Sequence, residues 1–430
     1  MSAPDPSDPE APGPTRAFVL HPDIRSDRFR RPAGPALEEA VALAAALPDL
    51  EVVGAETVGL PKAQPGLLFG KGKIAELKAR IAAADVDLVL IDGPVSPVQQ
   101  RNLEKEWDVK LLDRTGLILE IFADRARTRE GVLQVELAAL SYQRTRLVRA
   151  WTHLERQRGG LGFVGGPGET QIEADRRAID DAINRIRRQL EKVVKTRALH
   201  RAARAKVPFP VVALVGYTNA GKSTLFNRLT GAEVMVKDML FATLDPTMRS
   251  VELPDGTEII LSDTVGFISD LPTQLVAAFR ATLEEVLDAD LIIHVRDVAH
   301  ADTEAQARDV AAILTDLGVS AETPQLELWN KTDLLAPEVR AEMQAIADRR
   351  DTVLTLSALT GAGVPALLQA ISGALSPPRL PATLLVPYSE GRKRAWLFEE
   401  GVVEEETAGE TGYEIRVTWT ARQKQAFAAL

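Results

Sequence analysis

The residues best suited to chemistry lie where a β-branched apolar run ends in a glycine-rich stretch. Residues 216–223 follow the pattern G-x-x-x-x-G-K-S, and a helical segment comes directly after them. The backbone N–H groups of such a loop converge on a β-phosphate. Its lysine adds charge near the γ-phosphate and its serine hydroxyl ligates Mg²⁺. We therefore predict a phosphate-binding loop, with a chance glycine-rich turn as the alternative. Its residues are Gly216, Tyr217, Thr218, Asn219, Ala220, Gly221, Lys222 and Ser223.

A second segment, residues 241–245, resembles a loop that changes conformation with the nucleotide. The Thr243 hydroxyl could contact Mg²⁺ while its N–H contacts the γ-phosphate, and only a triphosphate satisfies both contacts. Ser223 and Thr243 are therefore the predicted metal ligands. Threonines are common in loops, so this signal is weak alone. The predicted ligand-binding residues here are Phe241, Ala242, Thr243, Leu244 and Asp245.

A third motif, D-x-x-G, ends the apolar strand Ile259–Ser262. It comprises Asp263, Thr264, Val265 and Gly266. Asp263 would hold the Mg²⁺ hydration shell, and the Gly266 N–H would face the γ-phosphate. The alternative is an ordinary turn, since the pattern is common in turns.

Two later motifs predict the base that is bound. Asn330, Lys331, Thr332 and Asp333 follow a predicted strand, and Ser357, Ala358 and Leu359 follow another. An aspartate that accepts two hydrogen bonds matches guanine N1–H and its amine, and adenine offers no such pair. Losing one charged hydrogen bond costs about 1.5–3 kcal/mol. Lys331 would pack along the base, Asn330 would brace the loop, and the Ala358 N–H would meet guanine O6.

All these motifs lie at the carboxyl ends of predicted strands, where α/β sheets bind ligands. We therefore predict an α/β fold with a P-loop G domain that binds GTP and Mg²⁺. The predicted catalytic residues are Lys222, Thr243, Gly266 and Asn219. Phe267 directly follows the D-x-x-G glycine and cannot orient a water molecule. Slow intrinsic hydrolysis, accelerated by a partner or a cation, is therefore expected.

The rest of the chain predicts further domains around residues 207–376, the G domain. Residues 1–16 are rich in proline and aspartate and predict a disordered tail. Residues 17–130 alternate strand-like and helix-like segments, which predicts a small α/β domain with a largely parallel sheet. Two turns, Leu68–Lys73 and Ile91–Pro97, read as helix starts. Residues 382–430 predict a small α+β domain without an evident site.

Residues 131–206 predict a helical hairpin with a glycine-rich tip. An apolar stripe runs along its second helix, and the opposite face is basic. Between residues 144 and 206 there are 16 Lys and Arg against 7 Asp and Glu. A flexible tip and charge of one sign suit a contact with structured RNA, although a solvated helix face is the alternative. The basic residues are Arg176, Arg177, Arg185, Arg188, Lys192, Lys195 and Arg201.

Composition excludes several classes of function. The 430 residues include no cysteine and five histidines, which rules out disulfides and Cys-based zinc sites. The net charge of −10 argues against general nucleic-acid binding outside the basic segment. No apolar run is long enough to span a bilayer, and the first residues lack the pattern of a signal peptide. A cytoplasmic location is expected.

The assembled motifs resemble the HflX family of GTPases, within the group that includes Era-, Obg- and TrmE-like proteins. Beyond the G-domain motifs, three stretches carry the resemblance: residues 113–119, residues 125–138 and residues 165–171. The resemblance covers about residues 17–376. Residues 382–430 match only in size and position.

The resemblance implies binding to the large ribosomal subunit and its RNA, and GTP-dependent splitting or rescue of stalled or idle ribosomes. It also implies ATP hydrolysis in some members. Asn219 matches an asparagine that helps to hold K⁺ in TrmE-like proteins, unless it only braces the loop. Arg296 is a departure, because the family's strand is apolar there.

Two other classes of function stay open. A GTPase that partners an RNA-modifying or ribosome-assembly machinery would use the hairpin to dimerise, whereas the ribosome-bound protein is expected to be a monomer off the ribosome. A metabolic P-loop kinase or ATPase is disfavoured by Asn330–Asp333, and no acceptor site is visible.

Overall fold

The structure is a computed structural model. It describes residues 13–27, 30–157, 167–204, 209–231, 241, 247–269, 284–320, 322–376 and 379–428. The chain divides between residues 368 and 369 into two compact units. Within the described residues, the first unit holds a four-stranded sheet, a pair of long helices and a six-stranded sheet. The second holds a three-stranded sheet.

The N-terminal region is the predicted α/β arrangement with a parallel sheet. Its strands lie in the order β2-β1-β3-β4, and every neighbouring pair is parallel. Both predicted helix starts are correct; at the second, Ser96 and Gln99 form a capping box that begins α3. Helix α4 was not predicted. The elements are β1 (Thr15–Ile24), α1 (Ala33–Ala44), β2 (Leu50–Leu60), α2 (Lys71–Ala83), β3 (Leu88–Ile91), α3 (Pro97–Trp107), β4 (Lys110–Asp113) and α4 (Arg114–Arg125).

Two long helices follow, α5 (Arg129–Gln157) and α6 (Pro167–Arg204), and they contact one another. Arg144 on α5 pairs with Asp180 on α6 at 2.9 Å. Ile183 and Ile186 of the predicted apolar stripe are buried. The predicted glycine-rich tip spans residues 158–170; residues 158–166 lie outside the described residues, and the last four belong to the first turn of α6.

The six-stranded sheet has the order β10-β9-β8-β5-β7-β6. All neighbouring strands are parallel except β6, which is antiparallel to β7. Strand β5 is central, and its apolar residues 212–215 are fully buried. The loop that follows β5 therefore begins at a rigid part of the core. The elements are β5 (Val211–Gly216), α7 (Lys222–Thr230), β6 (Thr247–Glu252), β7 (Glu258–Asp263), α8 (Glu284–Leu287), β8 (Leu291–Asp297), α9 (Thr303–Leu317), β9 (Gln325–Asn330), α10 (Pro337–Ala347), β10 (Val353–Thr355) and α11 (Val364–Leu375).

The C-terminal sheet is antiparallel, with β13 between β11 and β12. Its core is built from inward-facing apolar residues such as Ile415, Val417 and Trp419. This is the predicted small α+β arrangement. The elements are β11 (Arg379–Pro387), α12 (Gly391–Glu399), β12 (Val403–Ala408), β13 (Gly412–Thr420) and α13 (Ala421–Ala428). Among all the described residues, no helix is both long and apolar enough to cross a membrane.

The unexpected charge at Arg296 on β8 is paired. The side chain is 7% exposed, and it bonds to Glu304 at 2.7 Å and to Glu327. It also lies 5.9 Å from the centre of the Trp329 ring. A buried guanidinium is tolerated when carboxylates satisfy it. Arg296, which departs from the family's apolar strand, therefore serves the packing of β8 against β9.

His294, two residues earlier on β8, gives a test by pH. Burial lowers the pKa of His294 to about 4, against the weaker opposing effect of Glu327. When the folded-state pKa of a histidine is lowered, the protein loses stability as the pH falls from about 6.5 towards 4. The reason is that the unfolded chain binds a proton that the folded chain does not. We expect His294→Gln to remove roughly 2 kcal/mol of the stability difference between pH 7 and pH 5. Urea unfolding at both pH values measures it, and an equal pH dependence in both proteins would contradict the assignment.

Candidate nucleotide site

The phosphate-binding loop joins the central strand β5 to α7. Lys222 is buried, and its ammonium donates hydrogen bonds to the carbonyl oxygens of Gly216 at 3.0 Å and Tyr217 at 2.9 Å. Burial lowers the pKa of Lys222 to about 8, although Asp263 partly opposes the shift. The charged form of a lysine buried in this way is stabilised when an anion binds beside it. The geometry therefore fits a phosphate ligand.

The chemistry of the neighbouring groups fits Mg²⁺. The Ser223 hydroxyl donates a 2.7 Å hydrogen bond to Asp263, so two hard oxygen donors from different elements lie together. Mg²⁺ prefers such oxygen ligands and keeps several waters. The Thr218 hydroxyl is buried and has no hydrogen-bond partner among the described residues, as expected of a group that faces a ligand. Ser223 would hold the ion directly and Asp263 would hold its water shell.

The D-x-x-G segment pairs with the phosphate-binding loop. The Phe267 N–H donates to the Gly216 carbonyl at 3.1 Å, and its carbonyl accepts from the Thr218 N–H at 2.7 Å. A Cβ added at Gly266 would lie 2.7 Å from Thr218 Cγ2 and 3.1 Å from Lys222 Nζ. Only glycine therefore fits between this loop and the lysine.

Asn330 braces the base side of the site. Its amide donates to the Ala220 carbonyl at 2.8 Å and accepts from the Ala358 N–H at 2.9 Å. Gly221 has a φ of +95°, and a Cβ there would collide with the Asn330 amide. One side chain thus connects the phosphate-binding loop with both base motifs.

The other residues of the base motifs lie around this brace. Lys331 pairs with Asp297 at 2.8 Å, and Asp333 lies in the short 3₁₀ turn Thr332–Leu334. The Ala358 N–H was predicted to meet guanine O6, but in the structure it donates to Asn330. That role therefore stays a prediction. Ser357 is buried and Leu359 is exposed.

Several predicted ligand-binding residues direct their side chains elsewhere. The Thr264 hydroxyl donates to the Leu214 carbonyl at 2.6 Å, and the Thr332 hydroxyl donates to the Leu356 carbonyl at 3.0 Å. Val265 and Phe241 are buried in the core. Any contact of these four with the nucleotide therefore has to come from their backbone. Ala242, Thr243, Leu244 and Asp245 lie outside the described residues.

Arg228 on α7 is a site residue that the sequence did not reveal. It donates to the Ala358 carbonyl at 2.5 Å and also to the Leu359 carbonyl. It therefore fixes the backbone of the second base motif to the helix that follows the phosphate-binding loop. Its position in the run Phe226-Asn227-Arg228 carries no recognisable pattern, so only the fold reveals this role.

A cavity of about 710 Å³ lies beside Tyr217, Thr218 and Asn219. Its other walls come from the start of α1 and the start of α9. The residues that line it, within the described part of the chain, include none of Lys222, Asp263 and Asp333. The cavity therefore neighbours the nucleotide site without being the base pocket.

The six-stranded sheet with its phosphate-binding loop and guanine-type base motifs defines a P-loop GTPase. Four family models match the chain in order: GTP-binding GTPase N-terminal at residues 35–123, GTP-binding GTPase Middle Region at 125–204, 50S ribosome-binding GTPase at 211–331 and HflX C-terminal domain at 342–428. The last match extends the resemblance past residue 376, where the recognisable motifs end.

Two relatives match over most of both chains. GTPase HflX of Magnetococcus marinus is 50% identical over 400 residues, covering 92% of this chain and 90% of that protein. GTPase HflX of Escherichia coli is 47% identical over 348 residues, covering 81% of each. A solved GTP-binding protein from Sulfolobus solfataricus in complex with GDP has a TM-score of 0.46 at 23% identity, covering 84% of this chain and 98% of that one. The chain belongs to the HflX family of GTPases and hydrolyses GTP, and such G domains generally depend on Mg²⁺.

The guanine assignment can be tested at Asp333. We expect Asp333→Asn to weaken GTP binding about 10- to 100-fold, because one charged hydrogen bond is lost. Affinity for xanthosine triphosphate should rise, since its base offers an acceptor where guanine has an amine. Fluorescent nucleotide titration measures both affinities. Asp316→Asn on the exposed face of α9 is the matched control, and GTP affinity equal to the parent's in Asp333→Asn would contradict the assignment.

Proposed function

We propose that this GTPase binds the large ribosomal subunit in its GTP-bound form and splits or rescues stalled or idle ribosomes. The observation that carries the proposal is the basic face of α6 together with the family model described as a 50S ribosome-binding GTPase. Arg176, Arg177, Arg185, Arg188 and Lys192 are all exposed, while Ile183 and Ile186 on the other face are buried. The basic side chains therefore lie on the exposed face of the helix, opposite the face that packs, as a phosphate-binding surface requires.

The charge distribution supports RNA as the partner. The protein carries a net charge of −10, so a basic helix face stands against an acidic background. Arg177 pairs at 3.4 Å with the exposed Glu173, and such surface pairs contribute little energy. Phosphate groups can displace them at small cost. Contacts of this kind position a protein on RNA and depend strongly on salt.

Sedimentation with separated ribosomal subunits tests the proposal. We expect co-sedimentation with the large subunit in a non-hydrolysable GTP analogue and much less in GDP. Arg185→Ala with Arg188→Ala should weaken binding at least fivefold and reduce its salt dependence, because two phosphate contacts are lost. Sucrose gradients of intact ribosomes with the protein and GTP should show conversion to subunits.

The matched control removes the same charge elsewhere. Arg349→Ala with Arg350→Ala changes two exposed arginines in the turn after α10 and should leave subunit binding within twofold of the parent. Equal loss in both double variants would mean that binding follows net charge alone. A GTP-dependent dimer without subunit binding would instead favour a partner role in RNA modification or ribosome assembly.

We also propose that K⁺ supports turnover at Asn219. This residue is exposed at a φ of +58°, and its side chain makes no hydrogen bond within the described part of the chain. Nothing there engages it as a brace, so its amide oxygen is available to a cation. We expect at least threefold faster GTP hydrolysis in K⁺ than in Na⁺, and Asn219→Ala should abolish the difference. Equal rates in the two salts would contradict this role.

A further inference from the structure

Arg228, in the last turn of α7, reaches across to the loop after β10. Its guanidinium donates to the Ala358 carbonyl at 2.5 Å and also to the Leu359 carbonyl, so it holds two consecutive peptide groups. A basic residue in the last turn of a helix often does no more than balance the helix dipole. Among the described residues, however, Arg228 bonds to no side chain and to no carbonyl of its own helix. Its side chain is therefore directed at the loop and not at the helix end.

The helix that carries Arg228 is held firmly next to the phosphate-binding loop. Leu225 and Phe226, just before Arg228, are fully buried, and Lys222 at the start of the helix is 6% exposed. The arginine itself is exposed, but Ala358 is 2% exposed, so water competes little for the bond to its carbonyl. A loop bonded to Arg228 is therefore fixed relative to the phosphate side of the site.

The loop that Arg228 binds is a tight turn, residues 357–362. The Gly361 N–H donates to the Ser357 carbonyl at 2.8 Å, and the Ser357 N–H donates to the Ala362 carbonyl at 3.0 Å. A Cβ added at Gly361 would lie 2.8 Å from Arg228 Nη1, so the guanidinium packs closely against the turn. Because the turn is closed by its own bonds, holding two of its carbonyls fixes the whole segment.

Ala358 is fixed from two directions. Its N–H donates to the Asn330 side chain at 2.9 Å, and its carbonyl accepts from Arg228. That carbonyl shares a planar peptide group with the Leu359 N–H, which points the opposite way in a trans peptide. The Leu359 N–H has no hydrogen-bond partner in the part of the chain that the structure describes. Arg228 therefore sets the direction of a donor that is available to a ligand.

The chemistry of the bases gives such a donor a clear use. At position 6 guanine carries an oxygen that accepts hydrogen bonds, whereas adenine carries an amine that donates them. An N–H held towards this position favours guanine, because an amine there would leave two donors facing each other. A cationic guanidinium on the carbonyl also polarises the peptide group and makes its N–H a stronger donor.

We propose that Arg228 is a specificity-determining residue for guanine, because it positions the Ala358–Leu359 peptide so that its N–H meets guanine O6. The arginine acts through this peptide and is a positioning residue for the base. Asn330, which engages the Ala358 N–H, holds the other side of the same loop. The inference rests on the guanine-binding role of the loop after β10 and not on ribosome binding, so its failure is separable from that of the proposed function.

Competition titrations against a fluorescent GDP analogue test the proposal on the full-length protein. 2-Aminoadenosine triphosphate carries an amine at position 6 and keeps the 2-amine that Asp333 accepts. It also lacks the N1–H, but that loss is common to parent and variant and cancels in the comparison. We expect Arg228→Ala to lower the ratio of the Kd for this analogue to the Kd for GTP by roughly fivefold or more. An unchanged ratio, or a parent protein that binds both nucleotides equally well, would overturn the proposal.

Inosine triphosphate separates the reading of O6 from general support of the pocket. Its base keeps O6 and N1–H and lacks the 2-amine, so it tests the contact of Asp333. We expect the ratio of the Kd for inosine triphosphate to the Kd for GTP to stay within twofold of the parent in Arg228→Ala. Equal falls in both ratios would show that Arg228 supports the whole pocket, and would overturn the proposal. Each ratio compares two nucleotides on one variant, so a partial loss of folded protein does not change it.

A milder variant tests whether the shape of the guanidinium matters. Arg228→Lys keeps the charge but loses the rigid fork of donors that holds two carbonyls at once. We expect the ratio for 2-aminoadenosine triphosphate to fall at least twofold in this variant. Full retention of the parent's ratio would show that a positive charge suffices, and the positioning role would be wrong.

Arg340→Ala is the matched control. Arg340 on α10 is also exposed, and it donates to the carbonyls of Asp333 at 3.3 Å and Leu335 at 3.2 Å, beside the first base motif. Among the described residues it makes no bond to the loop after β10. We expect the ratio for 2-aminoadenosine triphosphate to stay within twofold of the parent's. A fall as large as that of Arg228→Ala would mean that losing any arginine near the base relaxes selection, which would count against the proposal.

Discussion

The buried guanidinium of Arg114 is the interaction on which the arrangement of the first compact unit depends. A charge removed from water is costly unless several partners satisfy it. Here the partners come from different elements: Glu39 from α1, Asp92 from the end of β3 and a carbonyl from the G domain. Arg114 is therefore stable in one place only. That requirement fixes the N-terminal sheet and the segment after D-x-x-G relative to each other.

The nucleotide site follows a similar logic, with backbone groups as partners. Asn330 connects the loop after β5 with the loop after β10, and Arg228 fixes the latter to α7. Lys222 is the exception, because burial makes its charge unfavourable, and among the described residues two carbonyls accept its hydrogen bonds while Asp263 only partly offsets the cost. A site that holds a poorly compensated cation is less stable by itself and binds an anion more strongly.

Much of this organisation could be predicted from the sequence, because short patterns carry their own chemistry. The G-x-x-x-x-G-K-S and N-K-x-D motifs predicted which strand ends would meet, and the alternation of apolar segments predicted a parallel N-terminal sheet. Helix α4 was missed because its start was read as a motif and the four-residue strand before it is short.

The contacts between distant segments could not be predicted. Glu39 and Tyr217 are 178 residues apart, and Arg114 and Ser269 are 155 apart, so no local pattern relates them. Arg296 also shows that contacts between elements could not be predicted. Its charge was noticed as a departure, but its partners Glu304 and Glu327 lie on neighbouring elements that only the fold brings together.

Phe267 and Ser269, which follow D-x-x-G, are held in place by two different kinds of contact. Phe267 is fixed by apolar packing and by two backbone bonds to the phosphate-binding loop. Ser269, two residues later, is fixed by polar bonds to Arg114 of the N-terminal region, Tyr217 of the phosphate-binding loop and Asp309 of α9. Since Phe267 cannot orient a water molecule, the backbone N–H groups beside it are what this described segment can offer to charge on the γ-phosphate. The segment after D-x-x-G is therefore held by the phosphate-binding loop, the N-terminal region and α9 together, through contacts that come from three distant parts of the sequence.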